Sequence, residues 1–205
     1  MKIKYYGHSC FKITSEHFEI VLDPYAPDSV PGLKDLDVKA NLVLCSHSHS
    51  DHSYQKGVRV VYQEVNPCKI TQLKCFHDKN NGKDRGTNVI HIIENEGVRI
   101  AHFGDLGHEL SEELLKEIGH IDVALLPIGG YYTIDYVEAI NIIEKLNPKT
   151  IIPMHYQSDL AGFEVIDTLD NFISHFSDIT YFSSLVAIDE SLPKIAVLEQ
   201  ANINI

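Results

Sequence analysis

Hydrophobic residues fall along this chain in short runs, separated by clusters of Gly, Pro, Asn and Asp. Many of the runs are rich in β-branched and aromatic residues and read as strands. They are KIKYY (2–6), CFKIT (10–14), FEIVLD (18–23), NLVLCS (41–46), VRVVY (58–62), KITQLKCF (69–76), NVIHII (88–93), VRIAHF (98–103), DVALLP (122–127) and TIIPMH (150–155). Helical spacing is rarer. SEELLKEIG (111–119) opens on Ser111 as an N-cap with acids in its first turn. TIDYVEAINIIEKLNP (133–148) repeats its apolar residues at helical intervals and stops before Pro148. EVIDTLDNFISHF (164–176) has a similar period and is predicted as a third helix. Strands dominate the first half, and strands alternate with helices in the second, which predicts a layered α/β domain with helices outside. DPYAPDSVPGLKDLD (23–37) and HDKNNGKDRGTN (77–88) read as long loops, and loops of that length are often functional. Neither reads as a linker, so one domain over 1–205 is expected.

Composition narrows the class. At 205 residues the chain can bury one real core. Its 44% hydrophobic and 22% charged residues are ordinary for a globular protein. No apolar run approaches the ~20 residues of a membrane span. MKIKYYGHSCFKI interrupts its apolar residues with lysines and does not read as a signal peptide, so a cytoplasmic protein is expected. A net charge of −12 argues against nucleic-acid binding, which needs basic surface. Cys10, Cys45, Cys68 and Cys75 form no CxxC pair, so they read as buried free thiols, neither a thiolate zinc knuckle nor a redox dithiol. Histidine is the anomaly, at 12 residues. His17, His108, His120 and His175 lie in polar or helical contexts and read as surface residues, and His91, mid-strand, as a packing residue.

The remaining histidines fall at the ends of strands. His47 follows NLVLCS, His77 follows QLKCF, Asp105 follows RIAHFG and His155 follows TIIPM. In layered α/β folds, ligands gather beyond the carboxyl ends of strands, so ends sharing one sheet edge would bring these groups together. The densest stretch is CSHSHSDH (45–52). In an extended segment, residues two apart point the same way, so His47 and His49 can grip one ion. Asp51 and His52 would then aim at a neighbouring point. A catalytic zinc usually takes about three protein ligands plus water. The count closes with His47, His49 and His77 on one ion, Asp51, His52 and His155 on the other, and Asp105 bridging. A closed structural zinc is disfavoured, because ligands exceed four and no cysteine is well spaced. His102, three residues before Asp105, competes with His77 for its place.

His47-x-His49-x-Asp51-His52 resembles the signature of the metallo-β-lactamase superfamily, and His77, Gly104-Asp105 and His155 follow in matching order. YYGHSCFKI, FHD…RGTNVI, IAHFGDLG, ALLPIGG and IPMHY resemble one branch of it, the predicted zinc-dependent hydrolases related to ascorbate-6-phosphate lactonase. The resemblance covers residues 3 to about 157; residues 158–205 carry no usable motif. It implies a four-layer αβ/βα sandwich with a dinuclear metal site at one edge. It also implies His77 as the ligand, with His102 beside the site. Relatives with glutamate at the position of His49 tend to hold iron, so histidine there favours two zinc ions, with manganese or iron as alternatives. By position in the family pattern Asp23 would orient a ligating imidazole, and His8 would line the same edge.

The mechanism expected is attack by a metal-bridging hydroxide on a carbonyl or phosphoryl centre, with Asp51 orienting it and taking a proton. The substrate is expected to be small and anionic, and a lactone is favoured over a phosphoester by branch resemblance alone. Arg85, in a Gly-rich loop, is a candidate phosphate or carboxylate clamp. Tyr131, Tyr132 and Tyr156 are candidate hydroxyl donors or walls. Two other classes stay open: a metal-bound binding or regulatory protein without turnover, and an iron-dependent oxidoreductase.

Overall fold

The computed structural model describes residues 1–204. The chain opens with an antiparallel meander, β1 (Lys2–Gly7), β2 (Cys10–Ser15) and β3 (Phe18–Leu22). A short strand, β4 (Val38–Ala40), precedes β5 (Leu42–Leu44), which lies parallel to β3. β6 (Val58–Val60) pairs with β4 as a separate two-stranded ribbon. A second meander follows, β7 (Lys69–Phe76), β8 (Thr87–Asn95) and β9 (Val98–His102). Then α1 (Glu112–Ile118), β10 (Val123–Pro127), α2 (Tyr136–Leu146) and β11 (Thr150–Met154) add two parallel strands beside β9. After α3 (Leu169–Ile173), β12 (Ile179–Phe182) and β14 (Ile195–Leu198) extend this sheet, while β13 (Leu185–Ala187) crosses to pair with β1. The result is a five-stranded sheet, β13-β1-β2-β3-β5, facing a seven-stranded one, β12-β14-β11-β10-β9-β8-β7.

The period-2 alternation of strands assigns each side chain to a layer. Ile3, Tyr5, Phe11, Ile13, Ile20 and Leu22 meet Ile93, Ile100, Val123, Leu125 and Ile152 between the sheets. The intervening positions Ile92, Ala101, Ala124 and Leu126 face outward onto Ile118, Ile142, Ile143 and Phe172 of the helices. β10 and β11, VALLP and TIIPM, are therefore buried at every position, the pattern of parallel strands covered on both faces. α2 starts at a capping box in which Asp135 accepts from the Glu138 backbone N–H and Glu138 accepts from that of Asp135.

Two facing sheets with helices packed on the seven-stranded one are the layered α/β architecture the sequence leads one to expect. The outer layer on the five-stranded sheet, however, is not helical. Tyr25, Val30 and Leu33, from the loop between β3 and β4, pack with Val38, Ala40 and Val58 of the ribbon over Cys10 and Val21. Proline and glycine prevent helix in that loop, yet its apolar residues still seal the sheet. The helix predicted over 164–176 shrinks to Leu169–Ile173. The preceding residues take tertiary partners: Gln157 N–H donates to the Asp167 carbonyl, and Asp167 N–H to that of Gly129. β4, β12, β13 and β14, each three or four residues long, escaped the sequence reading. His108 is not a free surface residue either. It is half-buried, and its Nε2 accepts the Phe76 N–H at 3.1 Å.

Candidate metal centre

Topology explains why the chemistry gathers where it does. β7 and β9 both run antiparallel to β8, and β10 and β11 lie parallel to β9. Their carboxyl ends therefore share one edge of the seven-stranded sheet. His77 follows β7, Asp105 lies just past β9 and His155 follows β11. On the five-stranded sheet, Asp23 follows β3, and the 45–52 loop follows its parallel neighbour β5. The β1–β2 turn adds His8. His8, Asp23 and His155 are non-glycine residues with φ of 56°, 44° and 53°. Left-handed backbone is uncommon at non-glycine residues, and here it turns three strand ends toward the same edge. Gly107 is required by close approach, because a Cβ there would run into the backbone of His77 and Asp78.

The carboxylate of Asp105 lies at the centre. Its Oδ2 is 3.2 Å from Nε2 of His52 and of His77, 3.4 Å from that of His155 and 3.8 Å from that of His47. Two groups of ligand-capable atoms surround it, each within 4.8 Å of one another: His47, His49 and His77, and His8, Asp51, His52 and His155. Asp51 Oδ2 lies 3.3 Å from His8 Nε2 and 3.6 Å from His52 Nε2.

These donors fit divalent metals. Nε2 of His47, His52 and His155 and Oδ1 of Asp105 are buried without a hydrogen-bond partner, although buried polar atoms are normally satisfied. Burial and His155 push the His8 imidazole down to about 4, and burial and His52 push His47 down to about 3, leaving both neutral at pH 7. Burial opposes charge on Asp105, but His155 and His52 hold its carboxyl well below the usual range. Burial likewise opposes charge on Asp51, but the His8 hydrogen bond and His52 keep it ionised. Neutral imidazoles beside ionised carboxylates are the donor set of a hard or borderline dication.

Asp23 organises the ligands from behind. Its Oδ2 accepts from His52 Nδ1 at 2.9 Å and from Ser46 Oγ at 2.6 Å, and its Oδ1 accepts from Ser46 N–H at 2.6 Å. Ser46 has spent its one hydroxyl proton, so at 2.9 Å it must accept from His47 Nδ1–H. Both imidazoles thereby engage their Nδ1 and turn Nε2 to the centre, where Asp105 and Asp23 favour the protonated form of His52 against burial until a metal takes the proton's place. Sequence reading missed Ser46, whose only signal was its place inside the cluster. It also missed Asn88, which accepts the Asp105 N–H at 3.1 Å and donates to the Phe103 carbonyl at 2.8 Å.

His102 lies outside the ligand group. Its Nε2 faces the Ser9 carbonyl at 2.9 Å and its Nδ1 accepts from Gly104 N–H at 3.2 Å, so neither nitrogen is free. Tyr156 does not reach the metal cavity, which corrects its candidacy as a substrate contact. One position beyond His155, it turns to the opposite side and is buried in the core under the helices. The cavity over the centre, about 340 Å³, is lined instead by Ser29, Ser50, Arg85, Tyr132 and Phe163 beside the ligands. Phe163 lies in the stretch without a motif, and Tyr131 is largely exposed.

Two facing sheets with a histidine-carboxylate centre at one edge define the metallo-β-lactamase class of metal-dependent hydrolases. Comparison with known proteins agrees: a family model described as the beta-lactamase superfamily domain matches residues 2–155, and the chain belongs to that family. It is similar to proteins named UPF0173 metal-dependent hydrolase from Thermococcus onnurineus, at 31% identity over 77% of this chain and 85% of that one. The Pyrococcus furiosus relative of the same name is 32% identical over the same shares, 77% and 85%. Among solved structures, a protein from Thermotoga maritima, described as a proposed zinc-dependent hydrolase of the metallo-β-lactamase superfamily, is 35% identical with a TM-score of 0.76, covering 96% of this chain and 97% of its own.

Proposed function

We propose that this chain is a single-domain dinuclear zinc hydrolase that cleaves an ester-type bond, a lactone before a phosphoester, in a small anionic molecule. The observation that carries the reading is the convergence of four imidazole Nε2 atoms within 3.2–3.8 Å of Asp105 Oδ2. His47, His49 and His77 would hold one ion, Asp51, His52 and His155 the other, and Asp105 both. Two zinc ions held there would polarise the scissile group and lower the pKa of a water beside them. Asp23 keeps Nδ1 of His52 protonated, and through Ser46 that of His47, so both present Nε2 to the centre. Asp51 faces the cavity with its side chain 20% exposed. Held ionised by His8 and His52 against burial, its Oδ2 accepts a hydrogen bond from the attacking water and orients it. The lactone preference rests on branch resemblance alone. A cytoplasmic location is supported by the free thiols of Cys10, Cys45, Cys68 and Cys75.

The cavity above the ligands favours an enzyme over a metal-bound regulator, because it offers space for a substrate beside Asp51. His49 favours zinc over redox-active iron. Metal analysis coupled to a panel of lactones, phosphodiesters, thioesters and amides tests the reading directly. Two metals per chain and turnover of an ester are expected, and hydrolysis of none with both metals bound would refute it. Asp51→Ala should lose most of its turnover and bind the second ion weakly. Full turnover with two tightly held ions would remove Asp51 from its role.

A further inference from the structure

We infer that Arg85 is an anion clamp, held at a set distance from the metal centre by Asp78, that selects esters or lactones bearing one carboxylate or phosphate away from the cleaved bond. The inference deepens the hydrolase reading and rests on it. Arg85 lines the metal cavity together with His49, Asp51, His77 and Tyr132. Its guanidinium carbon sits 5.4 Å from the centre of the Tyr132 ring, over its face. No carboxylate among the described residues pairs with it, whereas the neighbouring Lys79 is tied to Glu138 at 2.7 Å and Arg99 to Glu94 at 3.6 Å. A half-buried, aromatic-backed guanidinium without a partner is suited to a bidentate anion.

Its position is built in. Asp78 directly follows the ligand His77, is buried, and accepts four backbone N–H groups. They belong to Asn80 at 2.7 Å and Gly82 at 2.9 Å on Oδ1, and to Asp84 at 3.1 Å and Arg85 at 2.8 Å on Oδ2. His77 N–H donates to the Gly86 carbonyl at 3.0 Å, closing the loop on the ligand itself. A solvated loop arginine would need none of this. The loop instead indexes a cation to His77 through consecutive residues. Asp51 and Asp105 answer to the metal centre, so Arg85 is the charge left for a substrate. The cavity of about 340 Å³ is small, and Tyr132 and Phe163, 5.8 Å apart edge to face, give it apolar walls. On its other side Arg85 borders a second cavity, lined by Asp84, Asp135 and Glu138. Those acids would repel an anion, so the metal side is where the anion binds.

The test compares matched ligands on the zinc-loaded protein. Succinate and butyrate differ by one carboxylate, and calorimetry should give a preference for succinate of about tenfold, the scale of one charge-assisted pair. Arg85→Gln should collapse that ratio, and Arg85→Lys should keep part of it, supplying charge without the fork. Asp78→Asn should reduce the ratio by loosening the loop. Lys74→Gln, the same charge change at an exposed position on β7, should leave it intact. The kcat/KM ratio of 4-nitrophenyl hydrogen succinate to 4-nitrophenyl acetate should follow the same order, mainly through KM. No preference in the native protein, or a preference that survives Arg85→Gln, overturns the clamp. If neither ester turns over while the binding ratio still depends on Arg85, the clamp stands and the hydrolase reading falls.

Discussion

Asp23 touches no substrate space, yet two imidazoles on opposite halves of the centre depend on it. It accepts three hydrogen bonds, from Ser46 N–H, Ser46 Oγ–H and His52 Nδ1–H. Burial would raise its carboxyl, but His102, His52 and Ser46 hold it well below the usual range. Asp23→Asn puts an NH₂ group against one of these donors, so either the Ser46 N–H is left unmet or His52 and Ser46 must turn their protons elsewhere, His52 toward the centre. Loss of such an orienting carboxylate typically weakens metal binding 10–100-fold. In the proposed two-ion site a drop of about that size is expected on the His52 side, and a smaller one on the His47 side, read by competition against a chromophoric chelator. Unchanged affinity at both would mean that the imidazoles are positioned by packing alone. The same residue scale shows where a sequence stops being readable. His77 and His102 both close strands of similar composition. What separates them is the Ser9 carbonyl, 93 positions from His102 in the chain, which occupies one of its nitrogens.

Strands, by contrast, were legible almost to the residue where the whole run is apolar. VALLP and TIIPM are β10 and β11, because burial on both faces leaves a pattern that propensity does not have to decide. The side chains that the structure gathers at the candidate centre were legible as a group because several of them stand just past strands, as His77, Asp105 and His155 do. Elements set by backbone partners were not. The 164–176 stretch has helical spacing, but its first residues bond to Gly129 and Gln157. Asp78 gave no signal, because its four partners are backbone N–H groups that no residue type announces. α2 is the helix in which local and global signals agree, and its capping box should be separable from the chemistry. Asp135→Ala removes the acceptor for the Glu138 N–H at 2.9 Å. About 1 kcal/mol of stability should be lost, lowering the unfolding midpoint by about 2–4 °C for a chain of this size. Metal stoichiometry should not move; loss of an ion in this variant would tie α2 to the centre instead.

Eight of the twelve buried side-chain polar atoms without a partner among the described residues belong to His8, His47, His52, His77, Asp105 and His155, and that makes stability a function of pH and metal together. In the metal-free protein His8, at about 4, and His47, at about 3, stay neutral where the unfolded chain, with histidines near about 6.5, takes up protons. Folded stability therefore falls as pH drops from about 6.5 toward those values, by up to about 1.4 kcal/mol per pH unit for each group. His102 and His91, lowered chiefly by burial, add in the same direction. His52 runs the other way. Asp105 and Asp23 raise it against burial, so its contribution is complete below about 6.5 and is lost only as pH rises through its folded value. It adds no slope on the acid side. The depressed carboxylates of Asp23, Asp51 and Asp105 contribute above about 3.9, and that stability disappears only at lower pH. The limb between pH 6.5 and 4 thus belongs to histidines that the fold holds neutral, among them His47, a proposed metal ligand. Thermal unfolding at pH 7.5, 6 and 5, with EDTA and with zinc, reads this directly. The EDTA curve should fall on acidification, and the zinc curve should lie above it at pH 7.5 and close on it by pH 5, as protons displace the ions. A metal-free midpoint that stays level from pH 7.5 to 5, or a zinc increment that survives undiminished at pH 5, would mean that these imidazoles are neither held neutral nor metal-facing.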